Sequence, residues 1–185
     1  MLVCQNRESG FTLIELMVTI SILAIVLSAA FPSYRTFVAN AQIRSTAESI
    51  RNGLQLARAE AIKRNANVKF TIASATTDSS WSVGCVTVVA DLDGDGVADC
   101  PAVIQSKTAR EGSASTIKID KTGSNTLTFI NLGTTASTAG QLSRLEIDNT
   151  SIPTNVSANL SVSIQTGGNA RVCDPNAAAT DPKYC

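Results

Sequence analysis

The chain has 185 residues, five cysteines and no histidine, and its 15 Lys+Arg balance 15 Asp+Glu to a formal net charge of zero. A neutral chain carries no bulk electrostatic attraction to nucleic acid. Without histidine there is no Ser-His-Asp triad, no histidine metal ligand and no ordinary proton shuttle near neutral pH.

The first element is an apolar run from Phe11 to Phe31, preceded by the polar stretch Gln5-Asn6-Arg7-Glu8-Ser9-Gly10 and broken by one charge, Glu15. About 20 residues suffice to cross the ~30 Å hydrocarbon core as a helix. A carboxylate inside such a segment costs at least ~2.5 kcal/mol, so it calls for a purpose. An ordinary secretory signal would end its apolar core in a small-residue cleavage site, which Ser28-Ala29-Ala30 loosely offers. Glu15 within the core argues against that route. A plain single-span anchor explains the length and leaves Glu15 unexplained.

The heptapeptide Gly10-Phe11-Thr12-Leu13-Ile14-Glu15-Leu16 resembles the type III signal of type IV pilins and type II secretion pseudopilins. The resemblance implies that a prepilin peptidase removes residues 1–10 after Gly10 and that the new N-terminal Phe11 is methylated. The apolar helix then stays in the mature protein, first as an anchor and later as a packing element in a filament. Glu15 and Pro32 are the assembly residues under this reading, with Glu15 paired to the α-ammonium of a neighbouring subunit's Phe11. Two charges buried together make insertion register-specific, because either alone is heavily penalised. Arg7 flanks the span on one side and Arg35 and Arg44 on the other, so the positive-inside count does not favour a cytoplasmic N-terminus. The cysteines and the peptidase-like site argue for that orientation and outweigh the charge difference.

Beyond the span, Pro32 is expected to kink the helix without ending it. Ile43, Ala47, Ile50, Leu54, Ala57 and Ala61 recur at steps of four and three, one apolar stripe along a continuing helix. Arg44/Glu48, Glu48/Arg51 and Glu60/Arg64 are helix-compatible charge pairs on other faces. One helix over residues 11–66, on the order of 80 Å long, follows. Its second half needs a sheet to cover its stripe.

Alternation supplies the strands: Val68/Phe70/Ile72, Trp81/Val83, then Val86/Val88 after a one-residue phase shift, Ile117/Ile119, Leu127/Phe129, Leu145/Ile147 and Leu160/Val162/Ile164. Gly, Asn, Asp and Pro clusters separate them, as in antiparallel connections. The expected fold is α+β and pilin-like: a long N-terminal helix packed on an antiparallel β-rich domain over 67–185. The segment from Leu54 to Asn65, followed by Val68, is similar to the GspH/FimT branch of that superfamily, which holds minor pilins and the H-type pseudopilin.

Cys4 lies in the leader, and Cys85, Cys100, Cys173 and Cys185 remain, an even number in a domain expected beyond the membrane. Three pairings are open, and proximity favours Cys85–Cys100 with Cys173–Cys185, each contributing ~3 kcal/mol in the chain-entropy model. The spacing within either pair does not suit zinc.

Asp91, Asp93 and Asp95 have the one-three-five carboxylate spacing of calcium loops, with Asp99 at the ninth position. Ala102 stands at the twelfth, where an EF-hand has a bidentate glutamate, so calcium is a minor candidate and no cofactor is required. A similar Asp/Gly-rich turn recurs in the branch without implying metal. Some branch members act in DNA uptake and carry a basic Gly-Arg-x-Arg element near the C-terminus. Here Gly168 and Arg171 match, but Asn169 replaces the first arginine. One arginine beside Asp174 makes a poor phosphate clamp. Arg58, Lys63, Arg64 and Lys183 would supply a substitute patch only if the fold gathered them.

The reading that results is a structural subunit and not an enzyme: a minor pilin or pseudopilin of a type IV pilus or type II secretion pseudopilus. It would be single-pass in the inner membrane with its C-terminal domain periplasmic. Its partners would be other pilins, the prepilin peptidase and inner-membrane assembly machinery. A DNA-binding minor pilin is the alternative.

Overall fold

The computed structural model describes residues 10–91, 98–109, 111 and 115–185. Helix α1 spans Leu13–Lys63 and continues through Pro32. The chain divides into two compact units, one ending at Phe37 and the other covering Val38–Cys185. The first holds the apolar part of α1, the second the rest of α1 and, among the described residues, eight strands.

Within the second unit the stripe read from the sequence is the buried one: Ile43, Ala47, Ile50, Leu54, Ala57 and Ala61 are 0–1% exposed. Helix α1 ends through its backbone. Asn65 adopts a left-handed φ of 48°, Ala66 N–H donates to Ala61 C=O at 3.2 Å and Asn65 N–H to Ile62 C=O at 3.3 Å. This pair of bonds is the Schellman arrangement, in which asparagine is one of the few residues that tolerate the left-handed position.

Strands β1 (Val68–Ile72), β2 (Trp81–Cys85), β3 (Gln105–Lys107) and β5 (Thr126–Phe129) form one antiparallel sheet, in the order β3-β2-β1-β5. Strands β4 (Ile117–Thr122), β6 (Arg144–Asn149), β7 (Leu160–Ile164) and β8 (Ala170–Cys173) form a second, in the order β4-β6-β7-β8. Register aligns the inward residues. Phe70 lies opposite Val83 and Leu127, and Val68 opposite Phe129, while Ile119 faces Ile147 and Leu145 faces Val162. Both inner faces join the α1 stripe in one hydrophobic cluster.

Val86 and Val88 depart from the expectation of a strand. Strand β2 stops at Cys85, both valines are exposed, and among the described residues up to Cys100 a single bridge, Val89 to Cys100, follows. Their alternation reflects no buried face.

Close packing of α1 on the first sheet depends on Gly53. A β-carbon there would lie 2.9 Å from Phe70 Cε2 and 3.1 Å from the Trp81 ring, and those two rings already pack with centroids 5.9 Å apart. Helix propensity alone would favour alanine by about 1 kcal/mol, but crowding a filled core typically costs about 1–3 kcal/mol. Gly53→Ala is therefore expected to gain nothing, and Gly53→Val to lose about 1–3 kcal/mol in urea unfolding. A raised midpoint for either variant contradicts the packing described.

Candidate assembly site

Thr12 builds the start of helix α1. Its carbonyl accepts the Leu16 N–H at 3.1 Å and its hydroxyl accepts the Glu15 N–H at 3.3 Å. Thr12 thus caps the helix, and Thr12-Leu13-Ile14-Glu15 has the capping-box spacing. Glu15 falls in the first turn, where a negative charge also suits the helix dipole.

Every large apolar side chain of this segment is exposed, from Phe11 at 84% to Phe37 at 72%. An 18-residue window of the helix reaches a mean hydropathy of 2.4. The hydroxyls within it bond to their own helix: Thr19 to Leu16 C=O, Ser21 to Met17 C=O and Ser28 to Ile25 C=O, at 2.7–2.8 Å. That satisfies them without water and suits a hydrocarbon setting. Glu15 is exposed and has no ion pair among the described residues. Among the described residues, Gly10 has nothing within 4 Å of a β-carbon built on it. Pro32 lies inside the helix, with the Thr36 hydroxyl donating to its carbonyl at 3.3 Å. The Arg35 guanidinium sits 4.5 Å from the Phe31 ring centroid, a cation–π contact. Residues 1–9, including Cys4 and Arg7, lie outside the described residues.

Disulfides join Cys85 to Cys100 and Cys173 to Cys185, with Cα–Cα distances of 5.7 and 5.1 Å. The end of α1 grips the first of these loops. Arg64 pairs with Glu60 at 2.6 Å and also donates to the Asp99 carbonyl. Of the acidic loop, Asp91 and Asp99 are described, while Asp93 and Asp95 lie outside the described residues.

Three basic residues of the DNA alternative are engaged within the chain. Arg171, on β8, donates to the Tyr184 carbonyl and so helps hold the disulfide-closed tail. Arg58 reaches from α1 to the Asn169 side-chain carbonyl, where the family element would carry its first arginine. Arg64 is turned to Asp99. The link from Arg58 to Asn169 is beyond sequence reasoning, because 111 residues separate the two.

The family model described as type II transport protein GspH matches residues 46–168, and the prokaryotic N-terminal methylation motif matches residues 5–31. A fimbrial protein of Moraxella nonliquefaciens is 44% identical over 51 residues, 28% of this chain. The match spans only 32% of that relative's length. Among solved structures, the type IV minor pilin FimU of Pseudomonas aeruginosa is similar at a TM-score of 0.52 and 18% identity, over 78% of this chain and 98% of FimU. The minor pseudopilin EpsH of the Vibrio cholerae type 2 secretion system gives 0.47 and 14%, over 74% of this chain and 99% of EpsH. The likeness to FimU is one of fold. With its model matching well over half of the residues and the methylation motif on the apolar helix, the chain belongs to the GspH family.

Proposed function

We propose that this protein is a minor pilin or pseudopilin, cleaved after Gly10, methylated on Phe11 and built into a type IV pilus or type II secretion pseudopilus. The observation that carries the reading is the exposure of the whole apolar segment up to Phe37. A helix apolar all round needs a surrounding phase to bury it, and a bilayer or a bundle of identical helices provides one. The inner membrane holds it first, with the disulfide-bearing domain on the periplasmic side, where such bonds persist. Inner-membrane assembly machinery then moves it into the filament.

Within the filament, Glu15 meets the Phe11 ammonium of a neighbouring subunit. The free ammonium exists only after cleavage, so processing and assembly are linked through one charge pair. The role is structural and not catalytic. The capped position of Glu15 supports this reading, since Thr12 fixes the turn from which the carboxylate projects.

Processing gives the direct test. Gly10→Val is expected to keep the leader attached, because the β-branched side chain obstructs the bond the peptidase must reach. Intact-mass measurement should then show the uncleaved chain. A Gly10→Val chain that still begins at Phe11 refutes the peptidase assignment.

A further inference from the structure

The end of the apolar span carries residues that a hydrocarbon setting alone does not explain. Phe31, Tyr34, Arg35 and Phe37 are all exposed on α1. The three rings follow at steps of three and so share one side of the helix. Arg35 stands four residues beyond Phe31, and its guanidinium lies 4.5 Å from that ring's centroid. Tyrosine gathers at the boundary between hydrocarbon and headgroups, and a long basic side chain near a span's end reaches from there toward water.

Two further features place that boundary here. From Leu13, where α1 begins, the helix rises about 27 Å to Phe31 and about 36 Å to Phe37, which brackets the ~30 Å hydrocarbon core. Pro32 has no N–H to give the Ser28 carbonyl, its partner in a regular helical turn. A carbonyl that loses its donor is costly in hydrocarbon, whereas water and headgroups reach it at the boundary.

The charge on Arg35 then selects the ligand. Among the described residues Arg35 has no ion pair, and no Asp or Glu occurs between Glu15 and Glu48. A parallel copy of the helix packed in register therefore brings no carboxylate to it. Lipid headgroups do bring an anion to this depth, the phosphodiester, and the guanidinium fork matches phosphate oxygens with two parallel hydrogen bonds. The Phe31 ring limits the orientations open to the fork, which lowers the entropy that such a contact costs.

We propose that Arg35, set against the Phe31 ring, binds the phosphate of a lipid headgroup at the membrane face beyond Phe31. The inference rests on the membrane-anchored state proposed above, and the test keeps the two apart. The full-length chain, isotope-labelled at the Cζ of its arginines, is reconstituted into vesicles of phosphatidylethanolamine and phosphatidylglycerol in phosphate-free buffer. Lipid is then the only source of phosphorus, and carbonate extraction first shows whether the chain is embedded. Solid-state NMR reads the dephasing of Cζ by phosphorus, which needs the close approach that N–H···O bonds of about 2.7–2.9 Å impose. A strongly dephased arginine signal is expected in the wild-type chain. It should be lost in Arg35→Lys, which removes the labelled carbon and keeps the positive charge. If the chain resists extraction but no arginine is dephased, or the dephased signal survives Arg35→Lys, the headgroup site is wrong and anchoring stands. If carbonate strips the wild-type chain from the vesicles, the anchored state falls and the inference falls with it.

Discussion

Glu15→Ala is expected to yield a protein that sits stably in the membrane and is absent from filaments. The two halves follow from one energy. Removing a carboxylate from the apolar span saves at least ~2.5 kcal/mol of insertion cost, so anchoring improves. In a dry helical bundle, on the proposed pairing, the same deletion leaves the neighbour's Phe11 ammonium without its partner. Breaking a buried pair by removing one member typically costs ~3–5 kcal/mol, equivalent to a loss of incorporation of about a hundredfold or more. The hydroxyls at Thr19, Ser21 and Ser28 offer no substitute, since each is committed to a carbonyl of its own helix. Glu15→Asp keeps the charge but shortens its reach and should retain part of the incorporation. Normal entry of Glu15→Ala beside wild-type partners would sink the pairing.

The second large effect belongs to the disulfide between Cys85 and Cys100. Both cysteines are buried, at 1% and 2% exposure, and the bridge closes a separation of 15 residues. Replacing both with serine should cost ~2–5 kcal/mol of the domain's stability. Two hydroxyls would then also sit in the core cluster that holds these sulfurs. The contact from Arg64 to the Asp99 carbonyl does not offset the loss, because it is already present with the bridge intact. Cys173–Cys185 spans 12 residues, but Cys185 and the tail around it are exposed. Its loss should chiefly free the tail. Urea midpoints of the two double-serine variants in detergent test this order. An unchanged midpoint for Cys85→Ser/Cys100→Ser would refute it.

Much of this architecture can be read from residue order. The α1 stripe from Ile43 to Ala61 is legible because apolar residues at steps of four and three have one helical interpretation. Strands β1, β4, β5 and β6 are legible because each has one buried face, and β7 because Leu160, Val162 and Ile164 alternate, although Ser161 on its other face is buried too. Strands β3 and β8 escape for the opposite reason. Gln105-Ser106-Lys107 is polar throughout and lies at a sheet edge, and Ala170-Arg171-Val172-Cys173 exposes its arginine while half-burying the small residues on the other face. Val86 and Val88 mislead because alternation does not reveal whether anything covers it. Two of the three helix charge pairs, Arg44/Glu48 and Glu48/Arg51, are not ion pairs among the described residues, whereas Glu60 and Arg64 meet at 2.6 Å. The difference is burial: Glu60 and Arg64 are largely shielded, while the other three residues are exposed, and solvent weakens such contacts.

The same distinction governs the candidate sites. Glu15 stands out because a charge in an apolar run is costly in any fold.

Mass spectrometry of this chain recovered from sheared, purified filaments tests the account most directly. The account predicts a mature chain present in the filament fraction and beginning at N-methylated Phe11. A chain confined to the membrane fraction, or one found in filaments with residues 1–10 still attached, would contradict it.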